Sequence, residues 1–290
     1  MRFFFAVFFI STSLFAISQM VAPVKKINYN QEKALLGKSL FYDTRLSPSG
    51  TLSCERCHNL YWNTSGTIDH NIKVSMSGYM NPPTVLNSAL NFLFFKNGRA
   101  RTVKDQVEDS ILDVNQLGSS KDFIVKKVSS TSKYRNQFYS IYDDGVTFEN
   151  IVDAIAEFEK ALITPNSRFD KFLKGDKEAM NDDEKKGFEL FKKVGCINCH
   201  SGVNLGANVY YSVGIDEKGL KNDMGYYKVP GLRNVAKTSP YFYSGRQNDL
   251  KETIRHISSI QISHELSEEQ IELIYKFLLT LSGEKPEILR

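Results

Sequence analysis

All four cysteines of this chain lie in two copies of one short pattern, Cys-x-x-Cys-His. The pattern residues are Cys54, Cys57 and His58 in the first copy and Cys196, Cys199 and His200 in the second. This spacing is typical of covalent haem c attachment, because two thiols on one tight helical turn can reach the two vinyl groups of a single porphyrin. The adjacent histidine is then carried beneath the ring, where its neutral imidazole can bind iron. The sequence therefore predicts two haem c groups, with His58 and His200 as iron ligands.

Two other kinds of site also use paired cysteines. Four thiolates from two Cys-x-x-Cys pairs can form one structural zinc site, and two redox-active disulfides are compatible with an oxidising compartment. Neither alternative requires a histidine after each pair. The chain has only five histidines, so their repeated placement directly after the cysteines favours haem over zinc or disulfides.

The composition allows a large folded core. The chain has 290 residues, of which 41% are hydrophobic, and this length suits one large domain or two smaller ones. The formal net charge of +4 is spread over interleaved acidic and basic residues. The sequence has no basic stripe with interleaved aromatic residues, which argues against nucleic acid as a partner. The mild positive charge could at most assist docking to an acidic protein.

The N-terminal residues have the pattern of a secretory signal, which we assign to residues 1–18. Arg2 supplies a short positive region, residues 3–17 form an apolar run, and small residues at 16–18 suit a signal peptidase. An uncleaved anchor extending to Val24 is the alternative, which several Ser, Thr and Gln residues weaken. Both interpretations place the mature protein outside the cytoplasm, and we expect a bacterial periplasm.

Apolar residues recur at helical spacing through much of the chain, and strand signals are few. Helical patterns are clear at 148–164 and 267–283. Both halves have the order helix, Cys-x-x-Cys-His, long loop, helix, which indicates duplication of a small helical module. A turn-rich stretch at 165–176 marks the junction between them. We therefore predict an all-α chain with an N-terminal domain at 19–165 and a C-terminal domain at 166–290.

Beyond the two cysteine patterns, four segments carry a resemblance to a known family. They are LLGKSLFYDTRLSPSGTLSCERCH (35–58), NPPTVLNSALNFLFFKNGRARTVKDQ (81–106), IVDAIAEFEKALITPNSRFDKFLKGD (151–176) and YYKVPGLRNVAKTSPYFYSG (226–245). In this order they resemble the bacterial diheme cytochrome c peroxidase family, which includes the related diheme enzyme of methylamine utilisation. The similarity extends over nearly all of the chain that follows the signal.

The resemblance implies two cytochrome c-like domains with different tasks. The C-terminal haem, at His200, would receive electrons from a small c-type cytochrome or a cupredoxin. The N-terminal haem, at His58, would be the peroxidatic site, where hydrogen peroxide is reduced to water. Members of the family often form homodimers.

The resemblance also implies a peroxide site and a calcium site. Two family positions above the N-terminal haem match Gln106 and Gln116, and the family has a glutamate at the second. An amide at Gln116 can orient peroxide but cannot exchange a proton, so we expect weaker acid–base catalysis. A calcium ion between the domains would be held by the side chain of Asn81 and the carbonyls of Thr238 and Pro240, since oxygen donors suit this hard cation.

The sixth iron ligands of the family are not retained in this sequence. The distal histidine of the N-terminal haem aligns near Lys73, and the methionine or tyrosine of the C-terminal haem aligns at Ile257. The side chains that could substitute are His70 and Met76 at the first haem and His256, His264 and Met224 at the second. An open N-terminal site, accessible to peroxide without reductive activation, is the other interpretation. Loss of methionine should lower the potential of the C-terminal haem, because methionine ligation raises it.

Together these features predict an exported diheme cytochrome c peroxidase that carries two haem c groups and one calcium ion. A diheme oxidase of the methylamine-utilisation type is one alternative. A non-catalytic electron-transfer or peroxide-sensing cytochrome is another. The departures at Gln116 and Ile257 keep the non-catalytic alternative open.

Overall fold

The computed structural model describes residues 20–60, 81–95, 97–211, 227–262 and 265–290, with Tyr227 described by its backbone alone. The predicted segment and ligand candidates that lie outside these ranges are residues 1–18, His70, Lys73, Met76, Met224 and His264. Within the described ranges, no helix has the length and apolar character needed to cross a membrane.

Nearly all of the regular secondary structure in the described chain is helical. Its α-helices are α1 Gln31–Phe41, α2 Cys54–Cys57, α3 Val103–Leu112, α4 Lys121–Ser129, α5 Ser132–Ile141, α6 Phe148–Ala161, α7 Arg168–Leu173, α8 Asp182–Lys193, α9 Leu250–Gln261 and α10 Glu268–Leu279. Short 3₁₀ turns lie at Thr44–Leu46, Ser88–Leu90, Lys177–Ala179, Cys196–Asn198, Val235–Lys237 and Glu287–Leu289. Two short strands, β1 Tyr210–Tyr211 and β2 Tyr227–Lys228, pair antiparallel. The all-α prediction is confirmed.

Side-chain caps explain where several helices begin. Asn181 Oδ1 accepts a hydrogen bond from the Glu184 backbone N–H at 3.0 Å, and Glu184 Oε2 accepts one from the Asn181 N–H at 2.9 Å. The same reciprocal capping box begins α3 at Thr102, α7 at Ser167 and α10 at Ser267. Each box satisfies two N–H groups that would otherwise lack a partner at a helix start. The local sequence therefore determines where these helices begin.

Buried apolar side chains form two clusters, one in each half of the chain. The first extends from Leu36 to Leu162, and the second extends from Phe169 to Leu281. Leu289, near the end of the chain, packs in the first cluster, whereas Val21 packs in the second. Each of these terminal residues therefore packs on the half opposite to its position in the sequence. The domain limits at 165 and 166 stay a prediction.

Each cluster contains a close helix crossing at a glycine. Helix α1 packs on α6 at Gly37, where any side chain would collide with the carbonyl of Ala154. Helix α8 packs on α10 at Gly187, where a side chain would collide with the carbonyl of Leu273. Because both halves use the same device to bring an early helix against a later one, the crossings support the predicted duplication.

A buried ion pair holds the first described residues against the second cluster. Arg233 Nη1 lies 2.9 Å from Asp170 Oδ1, and the two side chains are 1% and 0% exposed. Asp170 Oδ1 also accepts a hydrogen bond from the Val24 N–H at 2.9 Å, and Arg233 Nη2 donates to the Ala22 carbonyl at 3.0 Å. Since a buried charge is tolerated only when it is paired and fully hydrogen-bonded, these contacts fix the segment that precedes α1.

Candidate functional site

The first attachment pattern lies on α2, which is a single helical turn. Ser53 Oγ accepts a hydrogen bond from the Arg56 N–H at 3.3 Å and begins the turn. The His58 N–H donates to the Cys54 carbonyl at 2.9 Å and closes it. His58 Nδ1 lies 2.9 Å from the carbonyl oxygen of Pro83. The turn therefore groups the thiols and the imidazole, and a carbonyl from a distant loop fixes the orientation of the ring.

The second attachment pattern follows α8 directly. Gly195 ends this helix with a φ of 91°, a left-handed conformation that favours glycine. The His200 N–H donates to the Cys196 carbonyl at 2.9 Å, as in the first pattern. His200 Nδ1 lies 3.2 Å from the Leu205 carbonyl oxygen, and the backbone of Pro230 also hydrogen-bonds the ring. Backbone carbonyls therefore hold both histidines. The acceptor of His58 is Pro83, and the acceptors of His200 are Leu205 and Pro230.

The state of the two imidazoles fits an axial haem ligand. A ring that donates its proton from Nδ1 keeps the Nε2 lone pair free for iron. Burial lowers the pKa of both His58 and His200 to about 4, so both rings are neutral at pH 7. All four cysteines are free thiols, which is the state that reacts with the vinyl groups of haem.

The cysteines do not fit the two alternative sites. Among the residues that the structure describes, which include all four cysteines, no three His, Cys, Asp or Glu side chains are grouped to hold one metal ion. Burial raises the pKa of Cys54 to about 12 and that of Cys196 to about 11, so both groups are neutral thiols at pH 7. No disulfide joins any pair of the cysteines. The residues present therefore fit two separate haem sites.

The two predicted peroxide residues lie on α3 and in the loop that follows it. Gln106 is on the helix, and its Nε2 donates to Ser110 Oγ at 2.9 Å. Gln116 is in the following loop, and its Nε2 donates to Asp113 Oδ2 at 3.1 Å. Among the described residues, the two amides bond to these partners rather than to each other. The carbonyl oxygen of Gln116 is therefore the end of its side chain that points away from Asp113.

Asp113, which accepts the hydrogen bond from Gln116, also has two other partners. Asn115 donates to its Oδ1 from the backbone N–H at 2.9 Å, and Arg99 Nη2 lies 3.4 Å from its Oδ2. Burial alone would raise the pKa of Asp113, but hydrogen bonds from Asn115 and Gln116 and the charge of Arg99 outweigh it and lower the pKa. Asp113 is therefore ionised at neutral pH, and it orients the Gln116 amide. The sequence pattern does not reveal this contact.

Two of the three predicted calcium residues lie together. Asn81 Nδ2 is 2.6 Å from the Pro240 carbonyl oxygen and 3.1 Å from that of Phe242. Asn81 Oδ1 is buried and has no hydrogen-bond partner in the described structure. A half-turn of the amide would direct Oδ1 toward the two carbonyls, and three oxygens would then face one point. Thr238 donates its backbone N–H and its hydroxyl to the Val235 carbonyl. Phe242, whose carbonyl also contacts Asn81, was not predicted from the sequence.

The described candidate for the sixth ligand of the second haem is His256 on α9. Its ring packs edge-on against Phe242 with 5.3 Å between ring centroids. Both side chains line a surface groove together with Glu252 and Arg255. Ile257, which occupies the family's ligand position, is partly buried on the same helix. The identity of the sixth ligand stays a prediction.

A buried carboxyl group that the sequence did not single out lies behind the first attachment turn. Glu159 on α6 is 4% exposed, and its Oε2 accepts a hydrogen bond from Ser88 Oγ at 3.4 Å. It lies close enough to Cys54 to interact with the thiol electrostatically. Burial raises the pKa of Glu159 to about 8, so the group is protonated at neutral pH. Helical periodicity assigns position 159 to the buried face of α6, but it does not reveal that a carboxyl there stays neutral.

Two helical halves, each with an attachment turn and a neutral histidine held by the backbone, define a diheme c-type cytochrome. Comparison with known proteins agrees and is more specific. A family model described as di-haem cytochrome c peroxidase matches residues 31–178. The chain belongs to this family of diheme peroxidases.

Individual relatives cover nearly the whole chain. A cytochrome c551 peroxidase of Nitrosomonas europaea is 37% identical over 96% of this chain and 89% of its own length. The cytochrome c peroxidase Ccp of Escherichia coli is 36% identical over 92% of this chain, which spans 62% of that longer protein. The crystal structure of a MauG-like protein associated with microbial copper homeostasis superposes with a TM-score of 0.74 over 91% of this chain and 93% of that one, at 24% identity. The last comparison supports the fold alone.

The raised pKa of Glu159 predicts a specific pH dependence of stability. Above the ordinary pKa of 4.5 the unfolded chain releases this proton, whereas the folded protein keeps it up to about pH 8. The free energy of unfolding should therefore fall across this window, by at most about 1.4 kcal/mol per pH unit from this group. Glu159→Gln, which stays neutral, should flatten the slope when urea unfolding of the haem-loaded protein is measured from pH 5 to pH 8.

A matched control for this experiment lies two residues away. Glu157 pairs with Lys160 at 2.6 Å, so Glu157→Gln removes a carboxylate from the same helix without removing the buried neutral one. Glu157→Gln should keep the wild-type slope. If the free energy of unfolding falls equally with pH in wild type and Glu159→Gln, Glu159 is not the protonated carboxyl that we infer.

Proposed function

We propose that this chain is an exported diheme cytochrome c peroxidase, which reduces hydrogen peroxide to water with electrons from a small periplasmic redox protein. The observation that carries the proposal is the pair of equivalent histidine sites, each with a neutral imidazole whose Nδ1 is bonded to the backbone. The near full-length similarity to a cytochrome c551 peroxidase supports it. The signal-like residues 1–18 support export to the periplasm.

In this proposal the two sites have different roles. Bound haem supplies the redox-active iron, and reduction of one peroxide to two waters takes two electrons and two protons. His200 holds the haem that receives electrons from a small cytochrome or a cupredoxin. His58 holds the haem at which peroxide binds. A homodimer remains part of the proposal, on the resemblance alone.

The residues on the peroxide side would orient the substrate more than they move protons. Gln116 donates its Nε2 hydrogen to Asp113, so its carbonyl oxygen is left to accept a hydrogen bond from peroxide. An amide oxygen cannot take up the proton, which a carboxylate at this position could do. Asp113 is ionised, but its oxygens already accept hydrogen bonds from the Asn115 N–H and from Gln116. The chain therefore holds a well-ordered but weakly basic pair.

The amide at Gln116 also favours a second candidate function. A diheme protein that lacks an acid–base carboxylate could serve as an electron-transfer or peroxide-sensing cytochrome without turnover. An oxidase of the methylamine-utilisation type stays an alternative on the resemblance alone. These candidates share the two haem sites with the peroxidase and differ from it in peroxide consumption.

We also propose that Asn81, Pro240 and Phe242 contribute oxygen atoms to a calcium site. The buried Asn81 Oδ1 without a described partner supports this, since a buried polar oxygen is costly unless bonded. Calcium takes six to eight oxygens and commonly combines side-chain, backbone and water ligands. Thr238 remains a predicted contributor through its carbonyl.

Peroxide turnover tests the proposed function directly. With a reduced small cytochrome as donor, we expect the haem-loaded protein to consume hydrogen peroxide and its spectrum to contain a high-spin N-terminal haem. The double variant Cys54→Ser, Cys57→Ser should lose turnover but still accept electrons at the second haem. If both haems are six-coordinate and low-spin in every redox state, and no peroxide is consumed, the peroxidase proposal is wrong and a carrier or sensor is favoured.

The contact between Gln116 and Asp113 predicts how an introduced base behaves. Gln116→Glu alone would bring two carboxylates to within about 3 Å, where they share a proton and neither is a free base at neutral pH. Adding Asp113→Asn removes this repulsion. The double variant should therefore reduce peroxide faster than the single variant, by up to about 10²-fold, in a kcat/KM profile measured against pH.

The single variants complete this test. Asp113→Asn by itself should not raise the rate, because it adds no base. The single variant Gln116→Glu should show its apparent pKa at higher pH than the double variant does. A double variant no faster than wild type would mean that position 116 is not where the proton moves.

Calcium addition tests the metal proposal. After treatment with a chelator, added calcium should raise the Tm of the wild-type protein, since a ligand that binds only the folded state stabilises it. Asn81→Leu, which removes the side-chain oxygen, should abolish the shift. Asn91→Leu is a matched control, because Asn91 bonds to Asn204 and not to the carbonyls near Asn81. An unchanged wild-type Tm would contradict a calcium site.

A further inference from the structure

Three buried polar side chains meet where the two halves of the chain join. Thr164 Oγ1 accepts a hydrogen bond from Asn87 Nδ2 at 2.7 Å and another from Asn234 Nδ2 at 2.9 Å. Asn87, Thr164 and Asn234 are 0%, 3% and 2% exposed. We call these three residues the asparagine–threonine clamp. Thr164 lies between α6 and α7, so a single hydroxyl joins one loop from each half.

The two asparagines of the clamp are structural counterparts. Asn87 has a φ of 59° and Asn234 a φ of 63°, the left-handed conformation that asparagine tolerates better than most residues. Each residue is followed at once by a 3₁₀ turn, Ser88–Leu90 in one half and Val235–Lys237 in the other. The clamp therefore bonds equivalent positions of a duplicated module to one shared acceptor.

In the sequence, each asparagine follows a proline whose backbone bonds the ring of an attachment-pattern histidine. Pro83, whose carbonyl bonds His58 Nδ1, lies four residues before Asn87 in Pro-Thr-Val-Leu-Asn. Pro230, whose backbone bonds the His200 ring, lies four residues before Asn234 in Pro-Gly-Leu-Arg-Asn. The same short loop thus carries the carbonyl that holds a histidine at one end and an amide that bonds Thr164 at the other.

Further hydrogen bonds prevent the two amides from turning. Asn87 Oδ1 accepts from the Thr164 backbone N–H at 2.8 Å, so Asn87 and Thr164 exchange two bonds. Asn234 Oδ1 accepts from the Gly283 N–H at 3.1 Å, beyond the end of α10. Because each amide is bonded at both ends, and buried polar groups are costly to leave unpaired, the Thr164 hydroxyl has one arrangement open to it.

We propose that Thr164 is a positioning residue that holds the two histidine-bonding loops in a fixed relation and thereby sets the potentials of both haems together. Its hydroxyl is the point that the two loops share. Without it, both amides lose an acceptor in a buried place, and each loop relaxes independently. The Pro83 carbonyl then moves relative to His58. The loop from Pro230 to Asn234 moves relative to His200, because its Leu232 N–H donates at 3.1 Å to the Leu205 carbonyl that His200 Nδ1 also contacts.

The hydrogen bond at Nδ1 is how this relaxation would reach the iron. A strong bond from Nδ1–H to a carbonyl makes the imidazole a more basic ligand, which favours the oxidised metal and lowers the potential. Weakening the bond from His58 to Pro83 and the bond from His200 to Leu205 raises the potentials. The proposal rests on haem attachment at both patterns but not on peroxide reduction, so its failure and that of the proposed peroxidase are separate outcomes.

Redox titration of the haem-loaded protein tests this proposal. Thr164→Val keeps the size of the side chain and removes the acceptor, so we expect the midpoint potentials of both haems to rise together. Thr164→Ser keeps the hydroxyl and should restore wild-type potentials. If Thr164→Val does not accumulate in folded form, Thr164→Ala removes the same acceptor with less crowding and makes the same prediction.

Thr280 provides a matched control for loss of a buried hydroxyl. It is 1% exposed, and its Oγ1 donates to the Phe277 carbonyl at 2.6 Å, at the end of α10 and outside the clamp. Thr280→Val should lower stability and leave both potentials unchanged. The proposal is overturned if Thr164→Val and Thr280→Val lower stability alike and neither changes the potentials. A change at only one haem would overturn the shared role of Thr164.

Discussion

The hydrogen bond from a histidine Nδ1 to a backbone carbonyl is the interaction on which both candidate sites depend. It fixes the ring and leaves Nε2 for iron. At His58 the acceptor is Pro83, 25 residues away, whereas at His200 the Nδ1 acceptor is the nearby Leu205, and the distant Pro230 also hydrogen-bonds the ring. Because the acceptor carbonyls at Pro83 and Pro230 belong to loops rather than helices, their positions need support from elsewhere. The clamp at Thr164 supplies that support for both loops from one place.

Duplication accounts for much of the remaining architecture. Each half has a helix crossing at a glycine, an attachment turn closed by the same N–H to carbonyl bond, and a left-handed asparagine before a 3₁₀ turn. The halves differ in the residues that surround these common parts. Gln116 and its partner Asp113 occur beside the N-terminal module, whereas His256 and its groove occur in the C-terminal one. The shared parts fit haem attachment, and the differing parts are where we propose that the two sites diverge.

Features that depend on the spacing of nearby residues could be predicted from the sequence. The attachment turns, the capping box at Asn181 and the end of α8 at Gly195 all follow from residues within a few positions of one another. Contacts between residues that are distant in the sequence could not be predicted from it. The partner of Gln116, the buried environment of Glu159 and the inclusion of Phe242 beside Asn81 each depend on how loops pack, which no periodicity encodes.

The sequence by itself determined that this chain is helical, duplicated and built to carry two haem c groups, because Cys-x-x-Cys-His is a local pattern with one dominant chemical use. The family resemblance added an expected division of labour between the haems. Only the tertiary structure decided which carbonyls orient His58 and His200, and that a single hydroxyl at Thr164 connects them. The physical reason is that burial and hydrogen-bond partners are properties of packed neighbours, and these neighbours lie far apart along the chain.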